Sequence, residues 1–210
     1  MAAPPTDAPA RLREGLAQLE LPAPAAVVDS LVRFLVLLEK WNRAFNLTAI
    51  TGLDEMATRH VLDSATALPF VTGDSVVDVG SGAGLPGIPL ALLAPGLEVA
   101  LLEASAKKAG FLRQAVATVP VPNARVVEDR AERHRPERPF DTVTCRALAS
   151  LAEFVALAGH LAAPGGRLVA LKGRDPSAEL AAVPAPWRGT VTPVRVPGLD
   201  AARHVVVLER

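Results

Sequence analysis

One cysteine, no tyrosine and no surplus of either charge distinguish this 210-residue chain. Cys145 has no second cysteine to bond with, so no internal disulfide frames the fold and a reducing compartment is expected. The 22 basic and 22 acidic side chains cancel, so a polyanionic partner must be met by a local patch rather than by net charge. Long apolar runs are also missing: Ile88 to Leu97, the greasiest stretch, is too short for a bilayer and is cut by Pro89 and Pro95. Met1 to Ala10 is rich in Ala and Pro and lacks the basic start and apolar stretch of a targeting segment. The expectation is a soluble, cytoplasmic protein, long enough to bury one sizeable core.

What is present begins at residues 76–87, Val-Val-Asp-Val-Gly-Ser-Gly-Ala-Gly-Leu-Pro-Gly, a β-branched run that ends in an acid and breaks into glycines before an apolar helix predicted from Ile88. A strand feeding a turn without side chains lets backbone N–H groups close on a nucleotide-like cofactor. Two patterns compete. Gly82, Gly84 and Gly87 satisfy the dinucleotide G-x-G-x-x-G, while Asp78, Gly80, Gly82 and Gly84 satisfy the D-x-G-x-G-x-G of S-adenosylmethionine (SAM) sites. Asp78 favours SAM, because an acid at the strand's end suits an ammonium and a sulfonium and repels a pyrophosphate; it could also orient the loop through its N–H groups. A glycine turn holding no ligand stays open at this point.

Apolar residues at Val27, Leu31, Phe34, Leu35, Leu38, Trp41 and Phe45 define one face of a long helix from Pro24 to Phe45. A shorter helix with Leu12, Leu16 and Leu19 precedes it, and another runs from about Asp54 to Leu68, ended by Pro69. Residues 1–72 are expected to form a helical cap on a cofactor-binding core of residues 73–210. In that core, strand-like runs at Val99–Glu103, Ala124–Val127, Asp141–Cys145 and Arg167–Leu171 alternate with helical stretches at Ala106–Thr118 and Ser150–Leu161. The alternation predicts an α/β fold with a mostly parallel, right-handedly wound sheet whose ligands lie at the strands' carboxyl ends. Gly189–Val196 and Arg203–Leu208 have no helix between them and could close around Pro197-Gly198 as an antiparallel edge.

Four places line the carboxyl edge. Glu103 ends the second strand, where an acid can accept both ribose hydroxyls; a solvated surface Glu would look the same. Asp129-Arg130-Ala131-Glu132 follows the third strand, where backbone amides and a small side chain could border an adenine ring. Arg146 follows the fourth and can hydrogen-bond a planar ligand or an oxyanion with its fixed fork, or pair with a nearby carboxylate. This strand end reads Cys-Arg-Ala, without the Asn or Asp, Pro-Pro and aromatic that hold an exocyclic amine, so amino-group methylation is disfavoured. Cys145 superficially resembles a pyrimidine C5 nucleophile, yet no proline precedes it and no second cysteine could release product; filling a strand end is the better reading.

Trp41-Asn42-Arg43-Ala44-Phe45-Asn46-Leu47-Thr48, Arg59-His60-Val61-Leu62-Asp63-Ser64, Asp78-Val79-Gly80-Ser81-Gly82-Ala83-Gly84-Leu85-Pro86-Gly87-Ile88-Pro89-Leu90, Arg146-Ala147 with Ser150-Leu151, Leu171-Lys172-Gly173 and Arg203-His204-Val205-Val206-Val207 stand in this order. Together they closely resemble the bacterial small-subunit ribosomal RNA methyltransferase G family (RsmG, also called glucose-inhibited division protein B), from about Leu31 to Leu208. The resemblance implies a class I SAM-dependent methyltransferase, Rossmann-like, that converts SAM to S-adenosylhomocysteine (SAH) while methylating N7 of a guanosine, nucleotide 527 in the 530 loop of 16S rRNA. By position, Gly80, Leu85, Ala131, Glu132 and Arg146 match the family's cofactor-contacting sites; Asp78, Gly82 and Glu103 are added on the physical grounds above.

Guanine N7 carries an unprotonated lone pair, so no general base is expected, and Arg146 and Lys172 are expected to position the reactants. The family match and the topology select Arg59, His60, Lys172, Arg174 and Arg203 as candidate RNA contacts, with 16S rRNA or the small ribosomal subunit as partner; His60 reads equally well as a buried brace. Neither DNA, a membrane nor a metal ion is expected. Rival readings are a SAM methyltransferase of small molecules or proteins, a nicotinamide-dependent oxidoreductase, and a non-enzymatic RNA-binding domain.

Overall fold

The computed structural model of the chain describes residues 6–146 and 150–210; Ala147 of the Arg146-Ala147 motif lies outside them. Helices α1 (Ala8–Gln18) and α2 (Ala25–Phe45) come first. Along α2 the fully buried stripe is Val28, Leu31, Phe34, Leu35 and Leu38. Val27, expected on that face, is half-buried, because the stripe is centred on 28, 31, 35 and 38, and Val27 falls on its flank. Asn46 ends α2 at φ 49°, a left-handed turn that Asn tolerates. Asn42, one turn back, accepts a hydrogen bond from the Thr48 amide at 2.8 Å, which fixes how the chain leaves the helix.

The third helical segment is irregular. It runs as α3 (Leu53–Met56), a π-helical stretch (Ala57–Leu62) and α4 (Asp63–Ala65), with Pro69 in a following 3-10 turn. A π-helical stretch widens the helix and often marks a functional site. This one carries Arg59 and His60.

The rest alternates as the sequence predicts: β1 (Ser75–Val79), α5 (Gly87–Leu93), β2 (Glu98–Glu103), α6 (Ala106–Thr118), β3 (Ala124–Glu128), β4 (Phe140–Arg146), α7 (Leu151–Ala158), β5 (Ala162–Lys172), α8 (Ser177–Leu180), β6 (Arg188–Val194) and β7 (Arg203–Glu209). The sheet order is β3-β2-β1-β4-β5-β7-β6, with β1 to β5 parallel and β7 antiparallel to both its neighbours. The tail closes as the expected hairpin, and it is the chain's last strand, β7, that lies against β5. Strand order reverses between β1 and β4, and the crevice at such a switch point is where ligands bind.

Successive side chains of a strand face opposite ways. Val76, Val99 and Leu101 join Leu12, Leu31, Phe34 and Phe111 in one hydrophobic cluster, so the N-terminal helices share a core with the sheet. Val77, Val79, Ala100, Leu102 and Cys145 face the other way, onto Leu151 and Phe154 of α7. Both faces are covered, which is why β1 reads as a continuous apolar run rather than an alternating one. Among the described residues, no helix is long and apolar enough to cross a membrane, and no group of three or more His, Cys, Asp or Glu side chains is placed to hold a metal ion.

Candidate functional site

Gly80, Gly82 and Gly84 take φ values of 68°, 52° and 80°, the left-handed region in which side chains are strained. A methyl built on Gly80 would meet no heavy atom within 4 Å, and one on Gly82 only the Gly80 carbonyl at 3.6 Å. The loop therefore borders open space, a cradle that side chains would fill. Gly87 serves packing instead: a methyl there would strike Leu101 and lie 2.8 Å from Asp78 Oδ2.

Asp78 is fully buried, and its Oδ2 accepts the Gly87 amide hydrogen at 2.9 Å. Burial pushes its carboxyl up to about 7, against the Gly87 hydrogen bond and the charge of Arg146. Of the two roles considered for Asp78, the one visible in the structure is bracing the loop through Gly87; the residue is fully buried and its Oδ1 has no hydrogen-bond partner. Glu103, also buried, accepts the Gly82 amide at 2.9 Å and the Ser105 amide at 2.8 Å, tying the loop to the end of β2. Leu85 and Ala131 are buried and Glu132 is exposed on the turn after β3.

Arg146, the last residue of β4, stands beside this loop. Thr144 pairs with Asp78, so Arg146 lies two residues past that pair on β4, as Gly80 does on β1. Its Nη2 lies 3.0 Å from His60 Nδ1 and its Nη1 3.4 Å from Asp63 Oδ2. Arg203 Nε donates to Asp63 Oδ1 at 2.8 Å. His60 Nε2 is 2.9 Å from Thr48 Oγ1, so the turn after α2 braces the same cluster. Burial, then the charge of Arg146, lowers the His60 pKa to about 4, which keeps the ring neutral. A guanidinium only donates, so Nδ1 must offer its lone pair to Arg146 and Nε2–H must point to Thr48; the Arg59 carbonyl, 3.1 Å from Nδ1, is then a neighbour rather than an acceptor.

Of the two readings of His60, its 2% exposure and its contacts with Arg146 and Thr48 favour the buried brace over the RNA contact. The structure brings Arg146, Arg203 and His60 together around Asp63, a residue that sequence reasoning quoted in a motif without giving it a role. The available signal was spacing, since His60 and Asp63 stand three apart on one helical face. Lys172 is not part of that cluster. In register, Arg146 pairs with Leu171, so Lys172 falls on the opposite face of the sheet, where its Nζ meets Glu179 of α8 at 2.8 Å. Arg59 is 41% exposed and pairs with Glu55 at 3.3 Å, and Arg174 is exposed.

A family profile for rRNA small subunit methyltransferase G matches residues 28–206. The ribosomal RNA small subunit methyltransferase G of Xanthomonas campestris pv. campestris (strain 8004) is 47% identical over 210 residues, covering 100% of this chain and 98% of that one. The protein of that name from Stenotrophomonas maltophilia (strain K279a) is 48% identical over 205 residues, covering 97% and 96%. Among solved structures, an O-methyltransferase from Bacillus cereus in complex with SAH superposes with a TM-score of 0.56 at 17% identity, covering 94% of this chain and 97% of that one. A precorrin-6y C5,15-methyltransferase from Geobacter metallireducens GS-15 does so with 0.56 at 17%, covering 80% and 92%. The seven-stranded sheet with its antiparallel edge is the fold of class I SAM-dependent methyltransferases, and the chain belongs to the small-subunit ribosomal RNA methyltransferase G family.

Proposed function

We propose that this chain transfers the methyl group of SAM to N7 of a guanosine in 16S rRNA of the small ribosomal subunit, nucleotide 527 in the 530 loop. The supporting observation is that the acidic and imidazole groups described around the crevice are engaged or shut away from it. Glu103 accepts two amides, Asp63 lies between two arginines, the free lone pair of His60 faces Arg146, and Asp78, whose Oδ2 accepts from Gly87 while its Oδ1 has no partner, is fully buried. An exocyclic amine or a ribose hydroxyl would need a proton removed. Guanine N7 needs none, because its lone pair lies exposed in the base plane.

When bound, SAM supplies a methyl carbon made electrophilic by its sulfonium. Transfer to N7 would leave sulfur with the electron pair of the broken carbon–sulfur bond and release no proton, so no residue of this chain would have to accept one. The chain's contribution is alignment, which in near-attack geometry supplies about 7 to 11 kcal/mol. In this reading the backbone at Gly80, Gly82 and Leu85 receives the methionine part, and Glu103 accepts the ribose hydroxyls with its remaining lone pairs. Ala131 and Glu132 border the adenine, and Arg146 closes the crevice. Arg59 and Arg174, the more exposed of the candidate cations, face the RNA, and residues 1–72 act as the cap that helps to present it. The protein works in the cytoplasm, where its substrate is.

The substrate class is tested by incubating the protein and labelled SAM with small subunits from cells lacking this enzyme. The label should enter 16S rRNA. Incorporation into ribosomal protein or metabolites, with the RNA unlabelled, would favour the small-molecule or protein alternative.

A further inference from the structure

Two arginines from strands that do not touch converge on one carboxylate. Arg146 ends β4 and Arg203 begins β7, with β5 between them, so no backbone ladder pairs one directly with the other. Asp63 bridges them from the helical segment above: Oδ1 accepts from Arg203 Nε at 2.8 Å and Oδ2 attracts Arg146 Nη1 at 3.4 Å. With a side chain only 6% exposed, this carboxylate works where solvent screens little, and a charge so buried must be paired to be tolerated. The two contacts are unequal. Arg203 is hydrogen-bonded, whereas Arg146 Nη1 makes no hydrogen bond in the structure, so Asp63 orients the Arg146 fork electrostatically without consuming that nitrogen's donors. His60, on the same helical face, fixes Nη2 of the same guanidinium.

We propose that Asp63 is a positioning residue for methyl transfer: anchored by Arg203, its carboxylate holds the Arg146 guanidinium at the end of β4 beside the glycine loop. The proposal rests on the reading that Arg146 acts at the cofactor.

The test is a double-mutant cycle with Asp63→Asn, Arg146→Ala and the double variant, measuring the SAM dissociation constant, kcat, KM for small subunits, and Tm. Asp63→Asn should weaken SAM binding and lower kcat about 10- to 100-fold while shifting the subunit KM less than about threefold, and the double variant should be no slower than Arg146→Ala alone, because both lose the same oriented fork. General loosening would instead lower Tm and raise both constants together. Asp63→Glu guards against a variant that does not fold: it keeps the charge but moves the carboxylate by one methylene, and it too should lose turnover. Wild-type turnover in folded Asp63→Asn or in Asp63→Glu, or losses that add in the double variant, would overturn the proposal. An Arg146→Ala protein that binds SAM and turns over normally would instead sink the underlying reading, whatever Asp63 does.

Discussion

A methyl group added at Gly80 meets no atom within 4 Å, whereas one added at Gly87 collides with Leu101 and crowds Asp78. Substitutions in one loop should therefore fail for different reasons. Gly82→Val places its branches where the methionine part of SAM would lie; the backbone strain of about 1 to 2 kcal/mol leaves the fold intact, but SAM binding should drop at least about 100-fold by equilibrium titration. Gly87→Val should lose the fold itself. Normal SAM binding by folded Gly82→Val would remove the loop from the cofactor site. Cys145 is a second contrast: burial and the neighbouring Asp78 hold its thiol well above the ordinary value, so it is no thiolate nucleophile. Cys145→Ser should keep most of its methyl transfer. Complete inactivation without loss of fold would instead support covalent attack on a pyrimidine.

At the scale of elements, the π-helical stretch and α4 hold a neutral histidine in a place that water does not reach. With its folded pKa lowered to about 4 from 6.5, the unfolded chain binds the proton first as pH falls. His60 therefore contributes stability that is present above pH 6.5 and is lost between 6.5 and 4, up to about 3 kcal/mol. Asp78 acts in the opposite direction. Its folded pKa is raised to about 7 from 3.8, so its burial costs stability as pH rises through that window. The informative quantity is thus the Tm of the wild type minus that of His60→Gln, which should shrink as pH falls from 7 to 4.5; a difference that does not depend on pH would mean His60 is not buried neutral. Much of this layer was legible in the sequence. The run of β1, the span of α6 and the tail hairpin carry period-two or period-3.6 patterns that local reading detects. The π-helical widening leaves the hydrophobic spacing almost unchanged and so left no signal, and β5 begins at Ala162 rather than Arg167 because Gly165-Gly166 interrupts the apolar pattern. The site was half legible: the loop and the strand-end residues are local features, but Arg203 meets Asp63 across 140 residues and Arg146 meets His60 across 86, pairings that only the folded sheet creates.

Across the whole molecule, a net charge of zero means that RNA must be held by particular cations, and the structure sorts the candidates. Arg174 is exposed and Arg59, though paired with Glu55, keeps a side chain 41% exposed, whereas Lys172 and Arg203, with side chains only 14% and 22% exposed, are paired with Glu179 and Asp63. Arg174→Ala should leave SAM affinity intact and flatten the log–log salt dependence of RNA binding by about 0.7 to 0.9 per lost phosphate contact. Arg203→Ala should mainly destabilise the protein, since it strips Asp63 of its closest counter-charge. An unaltered salt slope in Arg174→Ala would move the RNA surface towards the N-terminal helices that carry Arg43 and Arg59. The most direct measurement is to map the transferred methyl on 16S rRNA by borohydride reduction and aniline scission, which cut the chain at N7-methylguanosine. A single cut at nucleotide 527, appearing only with SAM and active protein, is expected. A methyl found on an exocyclic amine, a ribose oxygen or a pyrimidine carbon would contradict a site that works by alignment without a general base.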